Sequence, residues 1–326
     1  MPSLTARTES WPIRGVFRIS RGERTEARVV VATVVDGDHA GRGECVPYPR
    51  YGESVEGVMA AIEAMRDAIT EGTDRDTLRE RMPAGAARNA LDCALWDLEA
   101  KRRGTPVWRL AGLETPMPLT TAYTISLDEP EAMGRAAQEQ ANRPLLKLKL
   151  TGTDDLARVR AVRHAAPESR LIVDANEAWT PEVFAEMSPM LAALGVELIE
   201  QPLPADRDEP LANMPHPVPI AADESCHTST DVPALAGRYD VVNVKLDKTG
   251  GLTEALRVVE IARDVGLGIM VGCMVGTSLG VAPATLLGPV ARYVDLDAPL
   301  LLARDRTEGL RFEGSTLFPA RRELWG

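Results

Sequence analysis

From residue 116 onward the chain repeats one pattern, a short apolar run followed by a stretch with helical spacing. The runs fall at 119–125, 145–150, 171–175, 196–200, 220–223, 241–246, 269–273 and 293–296. Strands that alternate with helices imply parallel strand–helix–strand units, and eight such strands can close into a barrel. With 326 residues, the chain has room for a barrel of about 250 residues plus an additional module.

Residues 1–115 follow a different rhythm. The run at 28–35 (RVVVATVV) is apolar and β-branched, and the GRGE at 41–44 reads as a turn-like break after it. The stretches 54–68 and 84–101 have helical spacing; in the second, Ala87, Leu91, Ala94, Leu95 and Leu98 recur at three- and four-residue steps. The predicted fold is therefore α/β, a (β/α)7β TIM-like barrel with an N-terminal α+β capping domain. The capping domain is expected at 1–115 and the barrel at 116–303. A charged segment at 304–326, ending in Leu324-Trp325, is expected to return to the cap.

A formal charge of −11 argues against a nucleic-acid partner. An acidic body that takes an anionic substrate needs a local positive centre, which points to a metal cation. Four cysteines lie far apart with no CxxC pair, the pattern of a reducing cytoplasm. The first twelve residues lack the apolar core of a signal peptide. The 27 uncharged residues at 265–291 are long enough to span a bilayer, yet they hold six glycines and two prolines. They are expected to form a buried strand followed by a buried helix, leaving no membrane partner.

The chemistry is carried at the ends of the predicted strands. Lys147 and Lys149 lie two apart on the second strand and so share a face. Asp174, Glu200, Asp223 and Lys245 follow at intervals of 25, 26, 23 and 22 residues, each about one βα unit. A lone Lys-x-Lys is commonly a solvated face, and a strand-end Asp commonly caps a helix. Five consecutive strands in register are harder to reach by accident, and barrel enzymes build their sites at this rim. Three carboxylates on adjacent strands make an all-oxygen donor set suited to Mg²⁺ or Mn²⁺, one ion per subunit, and no histidine pattern suits zinc. The second and sixth strands are diametrically opposed in a ring of eight. Lys149 and Lys245 would then face a bound carboxylate from both sides, with one removing its α-proton and the other returning one, giving inversion. Burial, the cation and the neighbouring Lys147 are expected to lower the lysine pKa enough for it to act as a base.

These residues resemble the enolase superfamily in its muconate-lactonising subgroup over essentially the whole chain. The matching pieces are Lys147-Leu148-Lys149, Val173-Asp174-Ala175-Asn176, Ile199-Glu200-Gln201-Pro202, Ala222-Asp223-Glu224-Ser225 and Asn243-Val244-Lys245 leading to Gly250-Gly251. The resemblance implies Asp174, Glu200 and Asp223 as metal ligands and Lys149 with Lys245 as the acid/base pair. Within the subgroup the chain is most similar to the L-Ala-D/L-Glu epimerases of bacterial peptidoglycan recycling. Asp295-Leu296-Asp297 resembles the Asp-x-Asp that holds a dipeptide's ammonium, and Gly43 through Ser54 resembles their capping loop. Arg24 stands where they place an arginine that pairs with the glutamate side chain, although Arg14, Arg18, Arg21 and Arg28 are also close in sequence. Lys147 completes the substrate-binding set. The implied protein is a cytoplasmic isomerase acting on a small dipeptide, with self-association into a homo-oligomer left open. A muconate cycloisomerase or an o-succinylbenzoate synthase would need the same lysines and carboxylates but not Asp295 and Asp297. A non-catalytic binding barrel has little use for two lysines opposed across a cation.

Overall fold

The computed structural model describes every residue except Thr153. The N-terminal sheet runs β1 (Ser3–Ile19), β2 (Gly22–Asp36), β3 (His39–Cys45), all antiparallel. Its apolar centre is β2, where Val29, Val30, Val31, Ala32 and Val34 are buried. The GRGE at 41–44 is not the turn expected from its glycines but lies inside β3, paired with β2. The glycines answer to packing instead. Four helices cover the sheet: α1 (Val55–Glu63), α2 (Arg66–Thr70), α3 (Arg75–Arg81) and α4 (Ala86–Arg103). A Cβ at Gly41 or Gly43 would lie 2.1 Å from the Ala94 or Ala90 carbonyl of α4, so only glycine lets the helix backbone settle on the strand.

The first predicted barrel run divides in two. β4 (Leu119–Thr120) leaves the barrel to pair with Thr316–Leu317 near the C-terminus, and β5 (Tyr123–Ile125) is the first barrel strand. β6 (Leu145–Lys149), β7 (Arg170–Asp174), β8 (Val196–Glu200) and β9 (Ile220–Ala222) follow, then β10 (Val241–Val244), β11 (Gly268–Gly272) and β12 (Tyr293–Asp295). These eight lie in sequential order, each parallel to the next. The first and last strands are joined where Ala122 N donates to Val294 O at 2.8 Å. The uncharged stretch at 265–291 holds β11, a short helix (Ser278–Val281) and a 3₁₀ segment (Ala282–Val290). Among the described residues no helix is long and apolar enough to cross a membrane.

Strand parity links this barrel to its chemistry. One residue from each strand forms a buried apolar ring: Ala122, Leu145, Ile172, Leu198, Ala221, Val241, Met270 and Tyr293. The alternate residues, among them Leu146, Leu148, Val173, Ile199, Val242 and Val271, belong to the larger core outside the barrel. Counting two residues up from the ring gives inward positions again, and there the sequence places Lys147, Asp174, Glu200, Asp223, Asn243, Gly272 and Asp295. The floor is therefore apolar, and the layer directly above it is ionic or hydrogen-bonding except at Gly272.

The N-terminal module is tied to the barrel rim by buried polar contacts. Asp247 accepts from Val46 N at 3.0 Å and Asn89 Nδ2 at 2.8 Å, and Arg88 donates to the carbonyls of Thr249 and Gly250. Glu44 accepts from Thr277 N at 2.7 Å and pairs with Arg306 at 2.6 Å. At the C-terminus, Trp325 is buried under α4 and donates its indole N–H to Cys93 O.

Candidate active site

The ladder brings the strand-end groups to one height. Lys149 is the register partner of Asp174, and Asp174 is that of Glu200. Asp223 and Lys245 each lie one residue beyond their strands. All five are buried, and so is Lys147.

Each carboxylate meets ammonium groups. Lys149 Nζ donates to Asp174 Oδ2 at 2.5 Å and Lys245 Nζ to Asp223 Oδ2 at 2.6 Å. Lys147 Nζ lies 2.6 Å from Glu200, 2.7 Å from Asp295 and 3.3 Å from Asp174. Burial opposes ionisation of Asp174, but Lys149, Lys147 and Lys245 outweigh it and hold the carboxyl down to about 2. Asp223 is likewise held low against burial by Lys245 and Lys248. Glu200 is pushed up by burial and by Asp174. The expected lowering of the lysine pKa includes the cation; the protein groups alone shift Lys245 the other way. Burial and Lys147 do act downward, yet Asp223 and Glu200 hold it above the usual lysine value.

Above these groups a cavity of about 400 Å³ opens under the cap. Lys149 and Lys245 both line it, with Asp223 and Cys273. A Cβ at Gly272 would sit 3.1 Å from Lys245 Cε, so the glycine clears the path of that side chain. The cap contributes Arg21, Arg24, Arg50 and Tyr48 to the walls. Arg21 pairs with Glu224 at 2.7 Å and Glu177 at 3.1 Å, and Arg50 pairs with Glu177 at 2.8 Å. Arg24 makes no ion pair among the described residues and lies over the Tyr48 ring at 5.1 Å.

Five predicted residues do not line this cavity: Asp174 and Glu200, whose contacts are given above, and Lys147, Asp295 and Asp297. Lys147 is enclosed by its three carboxylates. Asp295 is held by Lys147, and Asp297 Oδ2 accepts from Thr124 N at 2.6 Å. Cys273 connects them to the cavity, since it lines the wall and its Sγ contacts Asp295 O at 3.4 Å. Burial and Asp295 push the Asp297 carboxyl up to about 7.

Several neighbours had no signal in the spacing. Asn243 donates to Glu200 Oε1 at 2.8 Å, and Lys248 Nζ lies 2.7 Å from Asp223 Oδ1. Gln201 accepts from Asp223 N at 2.8 Å. Asn243 and Gln201 stood inside the quoted motifs, but only the folded backbone shows what they touch.

The three carboxylates are buried oxygen donors on adjacent strands, a set that fits a hard divalent cation. Glu200 Oε2 and Asp223 Oδ1 face ammonium groups yet accept no directed hydrogen bond, leaving each an open lone pair. In the present arrangement the donors are turned onto lysines, and among the described residues no three such side chains converge on one point.

The family model described as "Mandelate racemase / muconate lactonizing enzyme, N-terminal domain" matches residues 1–112, and "Enolase C-terminal domain-like" matches 132–313. The chain is 48% identical to the L-Ala-D/L-Glu epimerase of Escherichia coli (strain K12) over 93% of this chain and 95% of that one. It is 47% identical to an N-acetyl-D-glutamate racemase of Pseudoalteromonas sp, over 91% of this chain and 95% of that one. An Agrobacterium tumefaciens enolase family member, solved with sodium and L-Ala-L-Glu and described as homologous to dipeptide epimerases, superposes with a TM-score of 0.98. The two are 55% identical and cover 100% of each other.

Proposed function

The chain belongs to the mandelate racemase / muconate lactonizing enzyme family of enolase-like, metal-dependent enzymes, and on that premise we propose that it is an L-Ala-D/L-Glu dipeptide epimerase. It is an isomerase that inverts the α-carbon of the C-terminal residue. The observation that carries this function is the pair Lys149 and Lys245, four strands apart in the eight-strand order and lining one cavity. A dipeptide of this kind is a cell-wall fragment, and the proposed role is peptidoglycan recycling in the cytoplasm.

Asp174, Glu200 and Asp223 would hold the divalent cation, Mg²⁺ by donor type. Bound there, the cation would supply positive charge against the negative charge that develops on the substrate carboxylate, and it would offset the field of Asp223 and Glu200 that holds Lys245 above the usual lysine value. The chain's own residues do the rest. One lysine takes the α-proton and the other delivers a proton to the opposite face, so configuration inverts. The apolar ring beneath and the cap above keep bulk water from the reacting carbon. Asp295 and Asp297 hold the substrate ammonium, which a muconate lacks, and the free guanidinium of Arg24 receives the glutamate side chain.

Incubating the protein with L-Ala-L-Glu and Mg²⁺ in D₂O should place deuterium at the glutamate α-carbon and build up the D-epimer, both visible by NMR. Neither signal appearing would refute the assignment. Arg24→Met should lower kcat/KM for Glu-containing dipeptides by about 10- to 100-fold, the range for a charged hydrogen bond. Apolar dipeptides should change little; equal losses would detach Arg24 from specificity.

A further inference from the structure

Strand β9 is short, and its last ladder position is Ala222. Asp223 therefore leaves the sheet with its peptide groups outside the ladder, although it carries one of the three carboxylates. Buried groups in that position need partners from elsewhere. Two side chains supply them, and Cys226 N also donates to Asp223 O at 3.1 Å. Gln201 Oε1 accepts from Asp223 N at 2.8 Å, and Lys248 Nζ donates to Asp223 O.

Neither side chain lines the cavity, and both are buried. Gln201 follows Glu200 directly and has a left-handed backbone, φ 35°. That conformation is unusual for a residue other than glycine. It places the amide of Gln201 across the gap between the ends of β8 and β9. The amide is bonded at both ends. Oε1 also accepts from Ser225 N at 3.1 Å, while Nε2 donates to Leu203 O, Ser225 Oγ and Tyr239 OH at 2.8–2.9 Å. Behind it, Asp208 accepts from Ser225 Oγ at 2.6 Å and Tyr239 OH at 2.7 Å, and pairs with Arg238 at 2.6 Å. On the other side, Lys248 Nζ also donates to Asn243 O at 3.0 Å, so its position is set by β10.

We propose that Gln201 and Lys248 are positioning residues that grip the peptide groups of Asp223 from both sides and so fix the third carboxylate for the divalent cation. The proposal rests on the role of Asp223 as a ligand given above. Partners that orient a ligand typically change metal affinity by about 10- to 100-fold when removed. A side chain that merely supported the fold would lower stability and leave affinity alone.

The test uses the full chain and Mg²⁺ alone as the probe, with calorimetry and the Mg²⁺-dependent rise in Tm as readouts. Gln201→Met should raise the Mg²⁺ Kd about 10- to 100-fold. Gln201→Glu keeps an acceptor toward the two amides and should recover most of the loss. Tyr239→Phe, which frees one side of the Gln201 amide, should show a smaller shift in the same direction. Lys248→Arg, which keeps a positive charge beside Asp223 Oδ1 but loses the fit of the ammonium to Asp223 O, should also weaken Mg²⁺ binding, and in metal-free protein the amide of Asp223 should exchange faster in Gln201→Met than in wild type. A lowered Tm with Mg²⁺ affinity within twofold of wild type overturns the proposal. If Gln201→Met fails to fold, unchanged affinity in both Tyr239→Phe and Lys248→Arg overturns it equally. If wild type binds no Mg²⁺, the ligand assignment fails, and exchange at the Asp223 amide still decides whether the grip exists.

Discussion

Replacing Lys149 or Lys245 with methionine should each reduce epimerisation of L-Ala-L-Glu by about 10³- to 10⁴-fold, the upper range for a positioned acid or base. The two losses should differ in kind. Because the lysines approach the α-carbon from opposite sides, each variant keeps one of them. One variant should still exchange the α-proton of the L-epimer with D₂O and not that of the D-epimer, and the other should show the reverse. A methionine also leaves Asp174 or Asp223 without its ammonium, so the arginine variants are the necessary companions. Arginine keeps the positive charge but stays protonated, and it should lose proton abstraction just as fully. Epimerisation within tenfold of wild type in either methionine variant would refute the two-base assignment. Loss of exchange from both epimers in both variants, with circular dichroism unchanged, would refute the division of labour.

Asp297→Asn should lower kcat/KM for L-Ala-L-Glu by about 150- to 4,000-fold, since breaking one partner of a buried charge pair costs about 3–5 kcal/mol. N-acetyl-L-glutamate has no ammonium, so whatever turnover it supports should be unchanged by this substitution. The pH profile adds an independent check. Burial and Asp295 raise Asp297 to about 7, so below that pH it is protonated and offers the ammonium no charge. In wild type kcat/KM for the dipeptide should fall as pH drops through about 7, and Asp297→Asn should flatten that limb. Equal losses for the dipeptide and the N-acetyl compound would remove Asp297 from substrate recognition. The comparison is pointed, because the chain is nearly as similar to an N-acetyl-D-glutamate racemase as to a dipeptide epimerase.

What could be read from the residues alone followed parity and period. Lys149, Asp174 and Glu200 were placed at one height by counting βα units, and the ladder pairs them directly. Where a residue's role depends on the backbone path, counting failed. Gly41 and Gly43 resemble a turn in one dimension, yet they exist to admit α4. Strand β1 was invisible because only Leu4 and Ile13 are buried along its length, so its apolar alternation is too sparse to see. Gln201 and Lys248 gave no spacing signal, since their bonds to the peptide groups of Asp223 depend on the path of the backbone. The contact of Lys245 with Asp223 at 2.6 Å is likewise a matter of the folded backbone and not of the count of carboxylates.

The eight-membered apolar ring at the base of the barrel has a kinetic consequence. It closes the reaction chamber from below, so substrate, product and solvent protons enter from the side of the cap. While a dipeptide fills the cavity, the protons on the two amines cannot be replenished from below. A hydrogen taken from one epimer should then stay on its lysine until the ligand departs. Labelled substrate should therefore surrender its isotope at a rate set by dissociation, and viscogens should slow wash-out and turnover together.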